Sequence, residues 1–151
     1  MTEEEISRFL DADRTLQVAS VGRDGYPHLA PMWYVVDDGR VVFRSFTKSQ
    51  KIVNLTRNPK VTVLVEEGEA YSDLRGVTIE GDARLVTDRA YVLEVYGRLA
   101  ARYPMMDDQP VELDAETLEA TWGRYAEKNT AVIVEPRRVV SWDHRKLAGG
   151  Y

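Results

Sequence analysis

Residues 16–45 are LQVASVGRDGYPHLAPMWYVVDDGRVVFRS, three apolar runs that are separated by two short glycine-containing segments. Arg23-Asp24-Gly25 and Asp37-Asp38-Gly39 each place a glycine where a tight hairpin turn requires a positive φ. The pattern predicts a three-stranded antiparallel meander with strands at 16–21, 28–36 and 41–45.

The rest of the chain adds further strands and several amphipathic helices. Strands are predicted at 61–65, 75–86 and 131–142, and Pro136 should interrupt the last of them. Helices are predicted at 3–10, from the N-cap Ser49 to Asn58-Pro59, from Asp88 to about Arg102, and at 115–128, where Leu118, Trp122 and Tyr125 should face the core. About six short strands with flanking helices indicate a β-rich α+β fold, a small and mostly antiparallel barrel.

Composition limits the classes of protein to be considered. The chain has 151 residues, of which 44% are hydrophobic and none is cysteine, so we expect one domain over 1–151 without disulfides, thiolate nucleophiles or iron–sulfur clusters. No apolar stretch is long enough for a membrane helix. The acidic start, MTEEE, is unlike the basic n-region of a signal peptide, so we expect a cytoplasmic protein. The last four residues, AGGY, should be mobile.

Charge is distributed unevenly along the sequence. The formal net charge is −5, yet residues 39–65 contain six basic and no acidic residues, which leaves −11 on the rest of the chain. The acidic remainder argues against a nucleic-acid partner. The basic segment is either a solvated face or a pocket for a compact anion such as a phosphate.

The basic segment combines a strand end with a helix start. Free backbone N–H groups at the N-terminus of a helix favour an anion. The cationic and hydroxyl side chains beside it could coordinate a phosphate from several directions; they are Arg44, Ser45, Lys48 and Ser49, with Lys51 two residues further on. The sequence has neither a P-loop nor a GxGxxG motif.

A second feature is the strand segment Ala30-Pro31-Met32-Trp33. Proline removes a hydrogen-bond donor from a strand, so this position indicates a bulge, an edge or a strand that faces something other than a neighbour. A flat aromatic ligand could lie against it. The alternative, an edge strand with core aromatic residues, stays open.

Side chains for acid–base, nucleophilic or metal chemistry are sparse. His28 and His144 are the only histidines, no nucleophile elbow is present, and no metal site is expected. Asp11 with Asp13 and Asp107 with Asp108 lie in polar segments where solvation explains them. No catalytic residue is assigned; solvent or Tyr34 could supply a proton.

These residues resemble the pyridoxamine 5′-phosphate oxidase-like split-barrel family. The resemblance rests on the order of the elements, Arg44-Ser45, Lys48-Ser49-x-Lys51 and Asn54-Leu55-x-x-Asn58-Pro59. The segment 142–147, WDHRKL, together with Ala-Pro-Met-Trp-Tyr, is most similar to the actinobacterial branch that uses the deazaflavin coenzyme F420. The Arg-x-Val-Leu-Leu-Lys-type strand motif of the pyridoxamine 5′-phosphate oxidases proper is absent, so vitamin B6 oxidation is not expected.

The resemblance implies a homodimer with two cofactor sites at the subunit interface. It implies that the cofactor phosphate lies at Arg44, Ser45, Lys48, Ser49 and Lys51, and that the ring system lies against 30–33. Arg75, Gly76 and Trp142 would close the site, with the other subunit as their possible source. The implied activity is hydride transfer from reduced F420 to an activated double bond of a small molecule (an enone, a quinone or a tetrapyrrole). An FMN-dependent oxidase or reductase, or a non-catalytic flavin- or haem-binding protein, is the alternative.

Overall fold

The computed structural model describes residues 1–12, 15–106 and 108–147. Helices are α1 (Glu3–Asp11), α2 (Gln50–Arg57), α3 (Arg89–Ala100) and α4 (Ala115–Ala126). Strands are β1 (Leu16–Val21), β2 (Pro27–Met32), β3 (Tyr34–Asp37), β4 (Arg40–Phe46), β5 (Lys60–Glu67), β6 (Arg75–Val86) and β7 (Asn129–Asp143). The mobility expected of the last four residues, and the expectations for Asp13 and Asp107, fall outside the described residues.

The strands form one seven-stranded sheet in the order β2-β1-β5-β6-β7-β4-β3. Every neighbouring pair is antiparallel. The two predicted tight turns are present, with φ of 87° at Gly25 and 73° at Gly39. The β-rich α+β class and the antiparallel split barrel are confirmed.

The predicted single strand at 28–36 is wrong, and so is the three-stranded meander. The segment divides at Trp33 into β2, which pairs with β1, and β3, which pairs with β4. The two hairpins lie at opposite ends of the sheet order. Pro31 has no backbone N–H to donate to a ladder, so β2 is suited to an edge position. Just after this proline the extended chain changes its partner strand from β1 to β4.

The division at Trp33 determines the shape of the sheet. β2 and β3 are its two edges, yet Trp33 alone separates Met32 from Tyr34. One intervening residue spans at most about 7 Å between the Cα atoms on either side. The sheet therefore has to curl into a half-barrel until its edges meet at Trp33, the seam of the fold.

Two apolar cores lie on the two faces of the curled sheet. The concave face packs strand residues such as Val18 and Phe43 against Phe9 of α1 and Ile52 of α2. The convex face of β3, β4 and β7 packs against α3 and α4. Leu118 and Trp122 pack against this second core, whereas Tyr125, which was expected to be buried, is 55% exposed.

β7 runs without interruption through Pro136, contrary to the expectation of a break. The β6–β7 register shifts between Glu80 and Gly81, where Gly81 pairs with Pro136 and Glu80 pairs with Arg138. The bulge accommodates Pro136, which has no backbone N–H to donate to the β6–β7 ladder. A Cβ at position 81 would overlap the Glu135 carbonyl oxygen, so the glycine permits the close approach of the two strands.

None of the helices in the described part of the chain is long and apolar enough to cross a membrane.

An ion pair joins the two ends of the described chain. Thr2 and Glu5 form a capping box at the start of α1, and Lys146 Nζ donates to both Glu5 carboxylate oxygens at 2.7 and 2.6 Å. The Lys146 hydrogen bond, assisted by the Thr2 backbone, lowers the pKa of Glu5 from 4.5 to about 2. Asp143 accepts from Arg145 in the same way, and its pKa is also about 2.

We predict that Glu5→Gln lowers the urea midpoint at neutral pH by an amount that disappears in acid. A carboxylate with a depressed pKa stabilises the folded state above its unfolded pKa and loses that contribution as the pH falls. The difference between wild type and variant should shrink from about pH 4.5 and vanish near pH 2. Glutamine keeps the capping geometry, so a difference that does not change with pH would exclude the Lys146 pairing as its cause.

Candidate functional site

Three of the predicted phosphate ligands converge at the N-terminus of α2. Ser45 Oγ lies 3.0 Å from Ser49 Oγ, and Lys51 Nζ donates to Ser45 Oγ at 3.3 Å. Ser49 is the N-cap residue, as predicted, but its side chain makes no capping hydrogen bond to the helix. Two hydroxyl groups and one ammonium thus surround a helix N-terminus without a side-chain cap. We call Ser45, Ser49 and Lys51 the hydroxyl–lysine cluster.

The hydroxyl–lysine cluster is partly shielded from solvent. Ser45 is buried, and Ser49 and Lys51 are half-buried, whereas Lys48 in the preceding turn is exposed. Burial lowers the pKa of Lys51 below that of an ordinary lysine. An anion at the cluster would offset this cost, because it would favour the charged ammonium.

Arg44 does not join the hydroxyl–lysine cluster. Successive side chains of a strand point to opposite faces, so Arg44 and Ser45 leave β4 on opposite sides. The Arg44 guanidinium carbon lies 4.0 Å from the centroid of the Tyr96 ring of α3. Its Nη1 donates to Asn129 Oδ1 at 3.3 Å. The five residues predicted as one phosphate site are therefore divided by the strand between two faces.

A cleft of about 340 Å³ lies where the edges of the sheet meet. Its lining combines the predicted aromatic segment with Arg44, and consists of Thr15, Pro31, Met32, Trp33, Arg44 and Leu99. The fold thus brings together two features that the sequence placed more than ten residues apart. Ala30 does not line the cleft; it pairs with Val18 within the β1–β2 ladder.

Trp33 presents an aromatic surface at this cleft. Its ring stacks on Tyr103 with centroids 5.1 Å apart and planes 8° apart, and it remains 40% exposed. Tyr34, the suggested proton source, is fully buried and donates its hydroxyl to the Leu10 carbonyl oxygen at 2.8 Å. The buried tyrosine is therefore not available to a ligand in the cleft.

A second group of predicted residues lies elsewhere on the same subunit. Gly76 pairs with Trp142 and Arg75 pairs with Asp143 across β6 and β7. A Cβ at position 76 would overlap the Trp142 ring, so the glycine allows the indole to lie against β6. Arg75 is paired with Glu67 and lies over the Phe9 ring.

Arg75, Gly76 and Trp142 are not among the residues that line the cleft of their own subunit. Arg44 pairs with Ala131 on β7, and Trp142 lies eleven residues further along the same strand. The predicted site residues therefore form two groups within one subunit.

Sequence reasoning missed the residues that support Arg44 and Trp33. Tyr96 is a buried residue of α3, and nothing in the sequence indicated its contact with a charged strand residue. Asn129 and Tyr103 gave no signal, since their roles depend on which elements pack together. His28 is half-buried, and His144 Nδ1 lies 2.7 Å from the Tyr71 carbonyl oxygen. Within the described residues, no group of three or more His, Asp or Glu side chains could hold a metal ion.

Comparison with known proteins identifies the family of this chain and several similar proteins. The model of the family described as pyridoxamine 5′-phosphate oxidase matches residues 2–140. A 5a,11a-dehydrotetracycline/5a,11a-dehydrooxytetracycline reductase of Streptomyces rimosus is 27% identical over 137 residues, which cover 87% of this chain and 89% of that protein.

Two solved structures are similar over most of their lengths. A conserved hypothetical protein of Mycobacterium tuberculosis has a TM-score of 0.88 and 38% identity, and the match covers 100% of this chain and 90% of that one. An F420 reductase has a TM-score of 0.66 and 23% identity, and the match covers 89% and 94% of the two chains. At that identity, the likeness to the reductase shows the fold alone.

We predict that Gly76→Ala displaces the Trp142 ring and destabilises the fold by about 1–3 kcal/mol, the usual cost of overpacking. Urea unfolding measures the loss of stability. The same substitution in a Trp142→Ala background is the control, because without the indole the new methyl group has space. An equal loss of stability in both backgrounds would show that Gly76 is required by the backbone conformation and not by contact with the Trp142 ring.

Proposed function

The chain belongs to the pyridoxamine 5′-phosphate oxidase family, as its sequence resemblance predicted, and we propose that it is a reductase that uses the deazaflavin coenzyme F420. In this proposal a hydride passes from the reduced cofactor to an activated double bond of a small molecule. The match over residues 2–140 and the reductase relative support the oxidoreductase class.

The hydroxyl–lysine cluster is the observation that carries the proposal. The phosphate of a flavin or deazaflavin needs hydrogen-bond donors and positive charge. Lys51 supplies an ammonium, Ser45 and Ser49 supply hydroxyls, and α2 supplies an N-terminus without a side-chain cap. Anions bind favourably at such a terminus because backbone N–H groups and the helix dipole both favour negative charge. The five predicted phosphate ligands are thereby reduced to three, because Arg44 points to the opposite face of β4 and Lys48 makes no contact among the described residues.

The seam offers a surface for the planar part of the cofactor. Pro31 and Met32 provide apolar side chains there that can lie against one face of a flat ring. When bound, the cofactor would supply the hydride chemistry, while the protein supplies position and electrostatics. F420 is preferred over FMN because the basic segment 39–65 suits a tail that carries carboxylates as well as a phosphate.

The proposed active form is a homodimer with a cofactor site at each end of the interface. A cleft of about 340 Å³ is at the small end for cofactor sites and leaves most of a deazaflavin uncovered. Large apolar side chains remain exposed on β2, at the end of β4, on α2 and on β7; they are Leu29, Phe46, Val53, Val139 and Val140. A second subunit would cover such residues and could bring its Trp142 segment to the cleft of the first.

The chain's own residues have three tasks in the proposed reaction. The hydroxyl–lysine cluster binds the phosphate, and Met32 with Pro31 orients the ring and excludes water from one of its faces. Since Tyr34 is buried and hydrogen-bonded to Leu10, solvent supplies the proton that completes the reduction.

The proposed acceptor is a conjugated double bond activated by a carbonyl group. The Streptomyces rimosus relative is named for the reduction of dehydrotetracyclines, which contain such a system, and it aligns with 87% of this chain. Enones and quinones are therefore the first acceptors to screen.

A parallel titration with F420 and FMN, followed by fluorescence, tests the proposal. We expect the protein to bind F420 at least tenfold more tightly than FMN. A preference for FMN would replace the proposal by a flavin-dependent oxidase or reductase on the same fold. Binding of neither cofactor would contradict both.

We predict that Lys51→Ala weakens binding of the preferred cofactor by about 1–3 kcal/mol, the contribution of a charged hydrogen bond. Calorimetric titration measures the change in affinity. Arg124→Ala is the matched control, because it also removes one positive charge but lies exposed on α4. Equal affinities for wild type and Lys51→Ala, with an unchanged melting temperature, would remove Lys51 from the site.

A further inference from the structure

Arg44 is a half-buried cation without an acidic partner. Among the described residues no carboxylate pairs with it; its contacts are the Asn129 amide oxygen and the Tyr96 ring. Most arginines of comparable exposure among the described residues are paired, as Arg40 is with Glu135 and Arg98 is with Asp37. A positive charge held only by neutral groups still has capacity for an anion.

The side chain also retains an unused donor. Arg44 Nε is buried and has no hydrogen-bond partner among the described residues. Burial lowers the pKa of Arg44, and contact with Tyr96 offsets only part of that effect. A buried donor without a partner costs about 1–3 kcal/mol, more when it is charged, so an arrangement of this kind indicates a missing acceptor.

The surroundings of Arg44 limit the shape of that acceptor. Arg44 shares the cleft at the seam with the exposed, stacked indole of Trp33 and with the apolar side chains of Met32 and Leu99. A ligand there would meet an aromatic face and one cation, and no lining residue is acidic. These surroundings favour a flat conjugated molecule that carries a negative oxygen at its edge.

We propose that the cleft binds the electron acceptor as a planar conjugated oxyanion, with its oxygen on the Arg44 guanidinium and its ring face toward Trp33. The inference rests on the proposed function and names the substrate class of that site. Arg44 then belongs to the acceptor and not to the cofactor phosphate, which the hydroxyl–lysine cluster holds on the other face of β4.

This placement lets Arg44 orient an acceptor whose reducible α,β-unsaturated carbonyl group is separate from its anionic oxygen. Reduced deazaflavin would supply a hydride that forms a new C–H bond at the β-carbon, and the carbon–carbon π pair would move to make an enolate at that carbonyl group. The guanidinium, which holds the anionic oxygen, partly offsets the added negative charge. A proton from solvent then adds to the α-carbon, so that the acceptor gains the two electrons that the cofactor would lose.

The test uses 2-naphthoate and its neutral isostere 2-naphthamide as probes, each titrated calorimetrically into the full-length protein without cofactor. We expect naphthoate to bind at least tenfold more tightly than naphthamide, since a charge-assisted hydrogen bond is worth about that much or more. Arg44→Gln should remove that preference, and Arg44→Lys should restore part of it. Trp33→Leu should weaken both probes by a similar factor.

Arg124→Gln is the control for a change in net charge and should leave both affinities unchanged. Equal naphthoate affinity in wild type and Arg44→Gln, or equal affinity of the two probes for the wild type, would overturn the inference. Thermal melting identifies variants that fail to fold, and Arg44→Lys provides the test if Arg44→Gln is one of them.

Titration of F420 and FMN into Arg44→Gln separates this inference from the proposed function. The inference requires cofactor affinity to stay within threefold of wild type. A loss of cofactor affinity equal to the loss of naphthoate affinity would assign Arg44 to the cofactor, which overturns the inference and leaves the proposed function in place. Failure of the wild type to bind either cofactor would defeat the proposed function, while the naphthoate titrations still decide what the cleft binds.

Discussion

The fold depends on one constraint: the two edge strands of the sheet are consecutive in the sequence, and only Trp33 lies between them. A seven-stranded sheet whose edges are held this close cannot stay open, so it curls into a half-barrel around an apolar interior. At the seam, the exposed Trp33 indole lies beside the end of β4, together with Pro31, which has no backbone N–H to donate to a ladder. The closure of the sheet therefore creates the candidate site.

The alternation of β4 divides the site into two parts. Ser45 points to the face where α2 begins, and there it meets Ser49 and Lys51. Arg44 points to the other face, where it meets Tyr96 and the cleft. A phosphate and a second anion can thus be recognised by neighbouring residues of one strand, each with its own positive charge and its own supporting helix.

The sequence predicted the parts of this structure that depend on local chemistry. The turn glycines, the Asp88 cap of α3 and the extent of β6 follow from φ requirements, capping and side-chain period, and the structure contains each of them. The convergence of Ser45, Ser49 and Lys51 is similarly local, because one turn of chain connects them. Strand pairing is not local: nothing in the segment 28–36 shows that β2 and β3 choose different partners, so the meander was predicted where a seam exists. The contact between Arg44 and Tyr96 joins residues that are fifty-two positions apart and appears only once α3 is packed on β4.

A crystal structure of the protein with F420 tests the central claim most directly. The account predicts phosphate density within hydrogen-bond distance of Ser45 Oγ, Ser49 Oγ and Lys51 Nζ, with the deazaflavin ring beside Pro31 and Met32 at the seam. Cofactor bound with its phosphate on Arg44, or at a place away from the α2 N-terminus, would contradict it.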